Sequence, residues 1–445
     1  MRVLHIGKFY PPHPGGIERC VADLCSALSR DGVDVAALAH AEPGAAGRQI
    51  HDPAGFDVSL AACHGQLLYA PVSPSFPFLL SRILREFRPD LLHIHLPNTS
   101  AFFCLLLPAA RRVPWVVHWH ADIPLDSKRR SLRAAYAIYR PWERTMLRRA
   151  AAVIATSAPY RDSSAALAPW LAKTHVIALG VAPLPSTSPL VGEVATPARA
   201  AMAHATAEPS TARTGGAGAA VTLAHTGDLG QHSDRSTSPV DPRPSTHTAL
   251  RILSVGRLSY FKGIDVLLRA IALVPAARLQ IVGDGECRAA LERLTQELGI
   301  ESRVRFAGRI DMDAAGAAVL QAAYADAEVF CLPSTDRAES FGIVLLEAMR
   351  ARLPVIASAI PGSGVNYVVQ AGETGLLVPP GDVAALASAL RRLAADHILR
   401  DELGASGERR WRDAFTLDCA AKRTLELYRH LLLPTAQCAS ATPPG

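Results

Sequence analysis

Two carboxylates spaced Glu-x7-Glu carry the most specific chemistry in this chain: Glu339 and Glu347, in the run Arg337-Ala338-Glu339-Ser340-Phe341-Gly342-Ile343-Val344-Leu345-Leu346-Glu347. The run follows an apolar strand-like segment and opens a helix, so Glu339 falls in the loop and Glu347 in the first helical turns. A loop carboxylate can accept hydrogen bonds from sugar hydroxyls and oppose positive charge forming at an anomeric carbon. The N–H groups of Phe341, Gly342 and Ile343, with Ser340 beside them, then face a bound phosphate, because a helix N-terminus offers free donors and a partial positive charge. A carboxylate inside the helix can grip a ribose diol. The blander alternative makes Glu339 a helix cap and Glu347 a solvated surface charge. It conflicts with Ile343, Val344, Leu345, Leu346 and Ala348, which make this helix a buried one where a charge needs a partner.

A second strand-to-helix turn, Val255-Gly256-Arg257-Leu258-Ser259-Tyr260-Phe261-Lys262-Gly263, sets two cations five positions apart among glycines. Fixed cations beside a helix N-terminus suit a diphosphate whose negative charge grows as it leaves. Gly15-Gly16 lies at a third such turn, with a helix expected from about Ile17, and there a phosphate can approach the backbone. That loop lacks G-x-G-x-x-G, so no dinucleotide is inferred. Gly283-Asp284-Gly285 adds another turn at the carboxyl edge of a sheet.

Histidines recur at alternating positions, His93 and His95, then His118 and His120. Alternation sends His118 and His120 to one face and Trp119 to the other. No carboxylate or cysteine spacing completes a ligand set, so no metal is expected. His120, nearest the strand end, is the candidate for contact with a sugar, while His93 and His118 read as buried structural residues. From Lys128 to Arg149, eight basic residues face a single acid, Glu143, with Tyr136, Tyr139 and Trp142 interleaved. Such a segment can lie on an anionic membrane surface or hold a lipid diphosphate, or be an ordinary solvated face. Pro141 is expected to split it into two helices.

The elements that position these groups are short Val/Ile/Leu-rich runs alternating with helical patterns: Arg2–Gly7, Val33–Ala39, Leu91–Leu96, Trp115–His120, Ala152–Ser157 and His175–Gly180. The rhythm restarts at Arg251–Gly256 and continues through Arg278–Gly283, Arg303–Gly308, Val329–Ser334, Pro354–Ser358 and Gly375–Pro379. This predicts an α/β chain with two parallel-sheet domains, residues 1–182 and 251–400. Between them, residues 183–250 are rich in Pro, Ala, Ser, Thr and Gly, with no aromatic residue between Trp170 and Tyr260, and read as a disordered insertion. Residues 401–433 read as helices anchored by Trp411, Phe415, Leu417 and Leu425, and 434–445 as a flexible tail.

Hydrophobic residues at 49% and charged residues at 19% exclude wholesale disorder. Eight scattered cysteines without a C-x-x-C pair exclude a zinc or disulfide framework and point to a reducing compartment. The chain opens directly on a strand-like run without a signal-peptide pattern, and no window is long and apolar enough to span a bilayer. A cytoplasmic protein, peripheral on the inner face of a membrane at most, is the expectation. A net charge of +6 suits phosphates or anionic lipid and is too small to argue for nucleic acid.

The order Gly15-Gly16, His120, Gly256-Arg257 with Lys262-Gly263, and Glu339-x7-Glu347 resembles the retaining glycosyltransferases of family 4, the group 1 glycosyltransferases, over nearly the whole chain except 183–250. The resemblance implies a GT-B fold, two Rossmann-like domains facing a central cleft, with C-terminal helices crossing back to the first domain and no required metal or cofactor. It assigns Arg257 and Lys262 to the donor diphosphate, Glu339 to the donor sugar, Glu347 to the ribose, Gly16 to a phosphate and His120 to the sugar. His118-Trp119-His120-Ala121-Asp122-Ile123 and Ser363-Gly364-Val365-Asn366 are similar to bacterial mannosyl- and rhamnosyl-type enzymes that build lipopolysaccharide or exopolysaccharide. The usual Asn-Gly at the end of the first domain is here Leu179-Gly180. The implied activity is transfer of a hexose, mannose from GDP-mannose before UDP-hexoses or GDP-rhamnose, to a lipid-linked or saccharide acceptor. Two rivals remain at this level, an epimerase of the same fold and a non-catalytic sugar-nucleotide binder. Intact Arg257, Lys262, Glu339 and Glu347 weigh against the second.

Overall fold

The computed structural model describes residues 1–67, 70–123, 130–184, 249–310 and 314–433, side chains of 130–132 and 314 excepted. The described residues belong to one compact unit, Met1–Leu184 with Thr248–Gly445. Most of the expected insertion, residues 185–248, and the expected tail, 434–445, lie outside the described residues, as do Lys128 and Arg129.

The first half runs β1 (Arg2–Phe9), α1 (Gly16–Arg30), β2 (Asp34–His40), β3 (Arg48–Asp52), β4 (Phe56–Ala61), β5 (Gln66–Leu67), β6 (Ala70–Pro71), α2 (Phe76–Glu86), β7 (Leu91–Leu96), α3 (Phe103–Leu106), α4 (Pro108–Arg111), β8 (Trp115–Trp119), α5 (Arg130–Arg149), β9 (Ala152–Ala155), α6 (Ala158–Ser163) and β10 (Thr174–Val176). Its sheet has the order β10-β9-β8-β7-β1-β2-β4-β3. Every pairing is parallel except β3 with β4. That edge hairpin departs from the expected all-parallel sheet. Arg48–Asp52 has one apolar residue, Ile50, and so gives no apolar run to read. A short polar edge strand also resists pairing with other chains. The central strands β7 and β8 are buried at every position, as a sheet covered on both faces requires.

The second half runs β11 (Leu250–Val255), α7 (Ile264–Ala272), β12 (Ala277–Val282), α8 (Arg288–Glu297), β13 (Val304–Gly308), α9 (Ala314–Asp326), β14 (Val329–Leu332), α10 (Ile343–Arg350), β15 (Val355–Ser358), α11 (Val365–Val368), β16 (Gly375–Val378), α12 (Val383–Ala395), α13 (His397–Ala414) and α14 (Leu417–Leu432). Its parallel sheet has the order β13-β12-β11-β14-β15-β16. Strand carboxyl ends of a parallel sheet share one edge; the candidate loop after β1 opens at that edge of the first sheet, and those after β11 and β14 open at that edge of the second.

Beyond the second sheet, α13 packs on α10, whereas α14 returns to α1 and buries Tyr428 in the first half. At the crossing, Val181 donates to the Phe415 carbonyl (3.0 Å) and Leu417 to the Val181 carbonyl (3.1 Å). A Cβ at Gly180 would stand 2.3 Å from the Thr416 carbonyl oxygen, so only glycine admits the returning chain.

One expectation fails: α5 runs unbroken through Pro141. The carbonyl that loses its donor belongs to Ala137, which is exposed, so water can satisfy it and the helix survives. The face is also less uniformly solvated than its charge implies. Glu143 is buried, accepts a bond from the Tyr136 hydroxyl (3.0 Å), and is raised by burial to about 7. The Arg149 guanidinium lies 5.0 Å over the Trp115 ring and donates to the Arg111 carbonyl.

Candidate active site

The loop after β11 turns inward through a single 3-10 turn, Tyr260–Lys262, and Gly263 then takes left-handed angles (φ 62°). A Cβ at Gly263 would lie 2.1 Å from the Pro333 carbonyl oxygen, so this glycine lets the loop sit against the end of β14. Lys262 is thereby delivered to Glu339, Nζ to Oε2 at 2.6 Å, with side chains 15% and 9% exposed. The Ser334 hydroxyl donates to the same oxygen at 2.8 Å. Arg257 does not join them. Its guanidinium is 64% exposed and pairs with Glu286 at 3.2 Å.

Glu347 lies within α10 and is buried, so its charge must be compensated. Arg19 of α1 donates to Oε1 at 2.7 Å and the Tyr324 hydroxyl donates to Oε2 at 2.8 Å. Neither partner was visible in the sequence. At the N-terminus of α10, Gly342 is left-handed (φ 78°) and the amides of Phe341, Gly342 and Ile343 meet no backbone acceptor among the described residues. Gly16 faces this terminus, its added Cβ falling 3.4 Å from the Ile343 side chain. The N-terminus of α1 is covered, because the Glu18 carboxylate folds to 2.0 Å from where a Gly15 Cβ would be. Burial raises the Glu18 carboxyl above the usual range. A phosphate approaching Gly15 and Gly16 must therefore displace or protonate Glu18.

The four histidines fall on one sheet face, as alternation requires, and His5 of β1 joins them in register with His93. That fifth member was legible, since Leu4-His5-Ile6 repeats the pattern of β7. The rings stack, with centroids 4.2 Å apart for His118 and His120 and 4.5 Å for His93 and His95. Two hydrogen-bonded chains result. In one, His5 Nδ1, His95 and His120 Nε2 connect at 3.2 and 2.9 Å; in the other, His93 bridges the Tyr428 hydroxyl and His118 Nδ1. Burial holds every member neutral, lowering His5 and His120 to about 3 and the remaining three well below the usual value. Three ring nitrogens of His95, His118 and His120 come within 4.8 Å of one another, as do those of His5, His93 and His95. His120, just past β8, keeps a buried Nδ1 without a hydrogen-bond partner among the described residues, as His5 and His118 do at Nε2.

Asp122, two residues beyond His120, meets Arg337, two residues before Glu339, at 2.6 Å. Residues from both halves thus close on one edge: Arg19, His120 and Asp122 from one, Lys262, Arg337, Glu339 and Glu347 from the other.

The glycosyl transferases group 1 model matches residues 241–410, and a glycosyl transferase 4-like domain model matches 15–180. The D-rhamnosyltransferase WbpZ of Pseudomonas aeruginosa is 30% identical over 94% of this chain and 92% of its own. The O-antigen chain mannosyltransferase C of Escherichia coli is 27% identical over 97% and 99% of the two chains. Among solved structures, the sucrose-phosphate synthase from Thermosynechococcus elongatus superposes with a TM-score of 0.68 at 25% identity, covering 97% of this chain and 98% of that one. Two matched halves, a shared overall architecture and a relative aligned nearly end to end place the chain in the group 1 glycosyltransferases, the family 4 enzymes of GT-B fold.

Proposed function

We propose that the protein transfers a hexose, mannose from GDP-mannose, to a lipid-linked or saccharide acceptor in bacterial cell-surface polysaccharide synthesis, with retention of anomeric configuration. The observation that carries this reading is the Lys262–Glu339 pair, 2.6 Å apart between the carboxyl ends of β11 and β14. It offers a cation for the leaving diphosphate and a carboxylate for the sugar within one donor's reach. The two relatives, named as a D-rhamnosyltransferase and a mannosyltransferase, support a sugar of this kind.

In this reading the diphosphate binds at Lys262, Arg257 and the bare amides of Phe341, Gly342 and Ile343, with Gly16 and Ser340 alongside. Glu339, released from Lys262, takes the sugar hydroxyls and His120 Nδ1 a further one. Glu347 accepts from the ribose as Arg19 yields. The anomeric C–O bond breaks toward the cations, which stabilise charge present only as the bond opens. The acceptor oxygen attacks from the same face, and its proton passes to the departing phosphate oxygen, so no protein general base is required.

The acceptor half presents α5, where Arg140, Arg144 and Arg148 recur at helical spacing beside Ile138 and Trp142, exposed by 74% and 42%. This face suits an anionic bilayer holding a lipid-linked acceptor, and no helix among the described residues is long and apolar enough to cross a membrane. The test is nucleotide release and product NMR with GDP-mannose, UDP-hexoses and GDP-rhamnose. Lys262→Ala is expected to cut turnover about a hundredfold or more. Near-normal transfer by that variant defeats the diphosphate assignment, and stimulation by UDP-sugars alone defeats the mannose assignment.

A further inference from the structure

The clearest bond between the two halves at the site is one the transfer chemistry does not use. Asp122 is held rigidly by its own half: Oδ1 accepts from Trp119 Nε1 (2.8 Å) and Ser164 Oγ (2.7 Å), and its backbone N–H donates to the Tyr160 hydroxyl (2.6 Å). Oδ2 alone remains, and it takes Arg337 Nη1 at 2.6 Å. The rest of the guanidinium is spent along the seam, on Ser163 and Tyr160 of the first half and Gly362 of its own. Nε donates to Ser163 Oγ (3.1 Å) and to the Gly362 carbonyl (3.2 Å), Nη2 donates to the Tyr160 carbonyl (3.3 Å), and the group lies 4.3 Å over the Tyr160 ring. Ser163 completes the seam by donating to the Gly362 carbonyl at 2.9 Å.

We propose that Arg337 and Asp122 form an interdomain clasp that fixes the separation of His120 from Glu339, making both positioning residues for transfer. The inference rests on the transferase reading above. Only one residue separates Arg337 from Glu339, and only one separates His120 from Asp122. The intervening turn has no slack: Ala338 N donates to Asp336 Oδ1 (2.7 Å), Glu339 N donates to the Asp336 carbonyl (3.1 Å), and the Ser363 hydroxyl donates to the Glu339 carbonyl. A shift at Arg337 is therefore a shift at Glu339. Exposed ion pairs add little to stability, and this one is 30% and 22% exposed. Its effect lies in geometry, where a displacement of about 1 Å can cost roughly a hundredfold in rate. Lysine keeps the charge but not the fork that engages four acceptors.

The experiment compares Arg337→Ala, Arg337→Lys, Asp122→Asn and the Arg337→Ala/Asp122→Asn double variant with the full chain. Nucleotide release gives kcat and KM, calorimetry gives GDP affinity, and hydrogen exchange reports the amides of 158–164 and 360–365 without donor. The expected result is a kcat lowered about tenfold to a hundredfold in each single variant, Lys included, with GDP affinity kept within about threefold. The double variant is expected to lose no more than the worse single, since both remove one interaction. Exchange should quicken on both sides of the seam. Near-normal kcat, GDP affinity falling in step with kcat, additive losses or unchanged exchange each overturn the clasp. Absence of nucleotide release by the unaltered protein with every donor instead defeats the transferase reading, and the exchange comparison still decides the clasp.

Discussion

Acidification is the perturbation to which the buried histidine array responds most strongly. His5 and His120 stay neutral down to about 3 because burial removes the solvation that an imidazolium needs. Released by unfolding, each regains a value of about 6.5. The folded value is the depressed one, so the unfolded chain binds the proton first. Stability is full above about pH 6.5 and is lost as pH falls toward about 3. At about pH 5.5 the unfolded histidine is about nine-tenths protonated and the native one is not, a loss on the order of 1 kcal/mol for each of these two residues. His93, His95 and His118 shift in the same direction, again chiefly because they are buried, and add to this loss. Urea unfolding followed by tryptophan emission at about pH 7.5, 6.5 and 5.5 reads this directly, because Trp115 and Trp119 are buried in the same sheet. His5→Gln is expected to be less stable near neutrality yet shallower in pH dependence by about one proton. A midpoint that does not move between about pH 7.5 and 5.5, or a slope unchanged in His5→Gln, refutes the argument that burial keeps these rings neutral.

Three further outcomes follow from contacts across the chain. Arg19→Ala leaves Glu347 buried with Tyr324 as its sole remaining side-chain hydrogen-bond partner among the described residues and is expected to cost about 2 to 3 kcal/mol by thermal melting; an unchanged melting temperature means that the carboxylate is solvated. Gly180→Ala drives a methyl into the Thr416 carbonyl and is expected to cost about 3 kcal/mol or more, with loss of the soluble protein as the extreme and wild-type stability as the disproof. Arg144→Glu with Arg148→Glu is expected to abolish flotation with phosphatidylglycerol vesicles while leaving soluble-acceptor transfer intact; equal flotation of both proteins removes α5 from the membrane surface.

What the sequence made legible was local. Strand runs such as Leu91–Leu96 coincide with their elements because a strand buried on both faces needs an unbroken apolar run. Gly15, Gly256, Gly263 and Glu339 fall in loops for equally local reasons of backbone and helix boundary, while Gly16 opens α1. His5 was missed although its signal was present, since the strand beside β7 carries a histidine at the matching position.

The remaining site residues could not be read in that way, because their meaning is set by partners far off along the chain. Asp122 meets Arg337 across 215 positions, Arg19 meets Glu347 across 328, and His93 meets Tyr428 across 335. No periodicity joins such pairs, since each depends on how two separately folded sheets and a returning helix come to rest. These are also the contacts that decide what the local motifs do. Glu347 alone is a buried charge, but with Arg19 and Tyr324 it becomes a carboxylate whose two oxygens are both satisfied. Glu339 alone is a loop acid, but Lys262 on one side and the turn from Arg337 on the other fix where its oxygens stand. The candidate groups were therefore recognisable one by one. Their coupling, which sets how the groups of the two halves stand to one another, exists only in the folded chain.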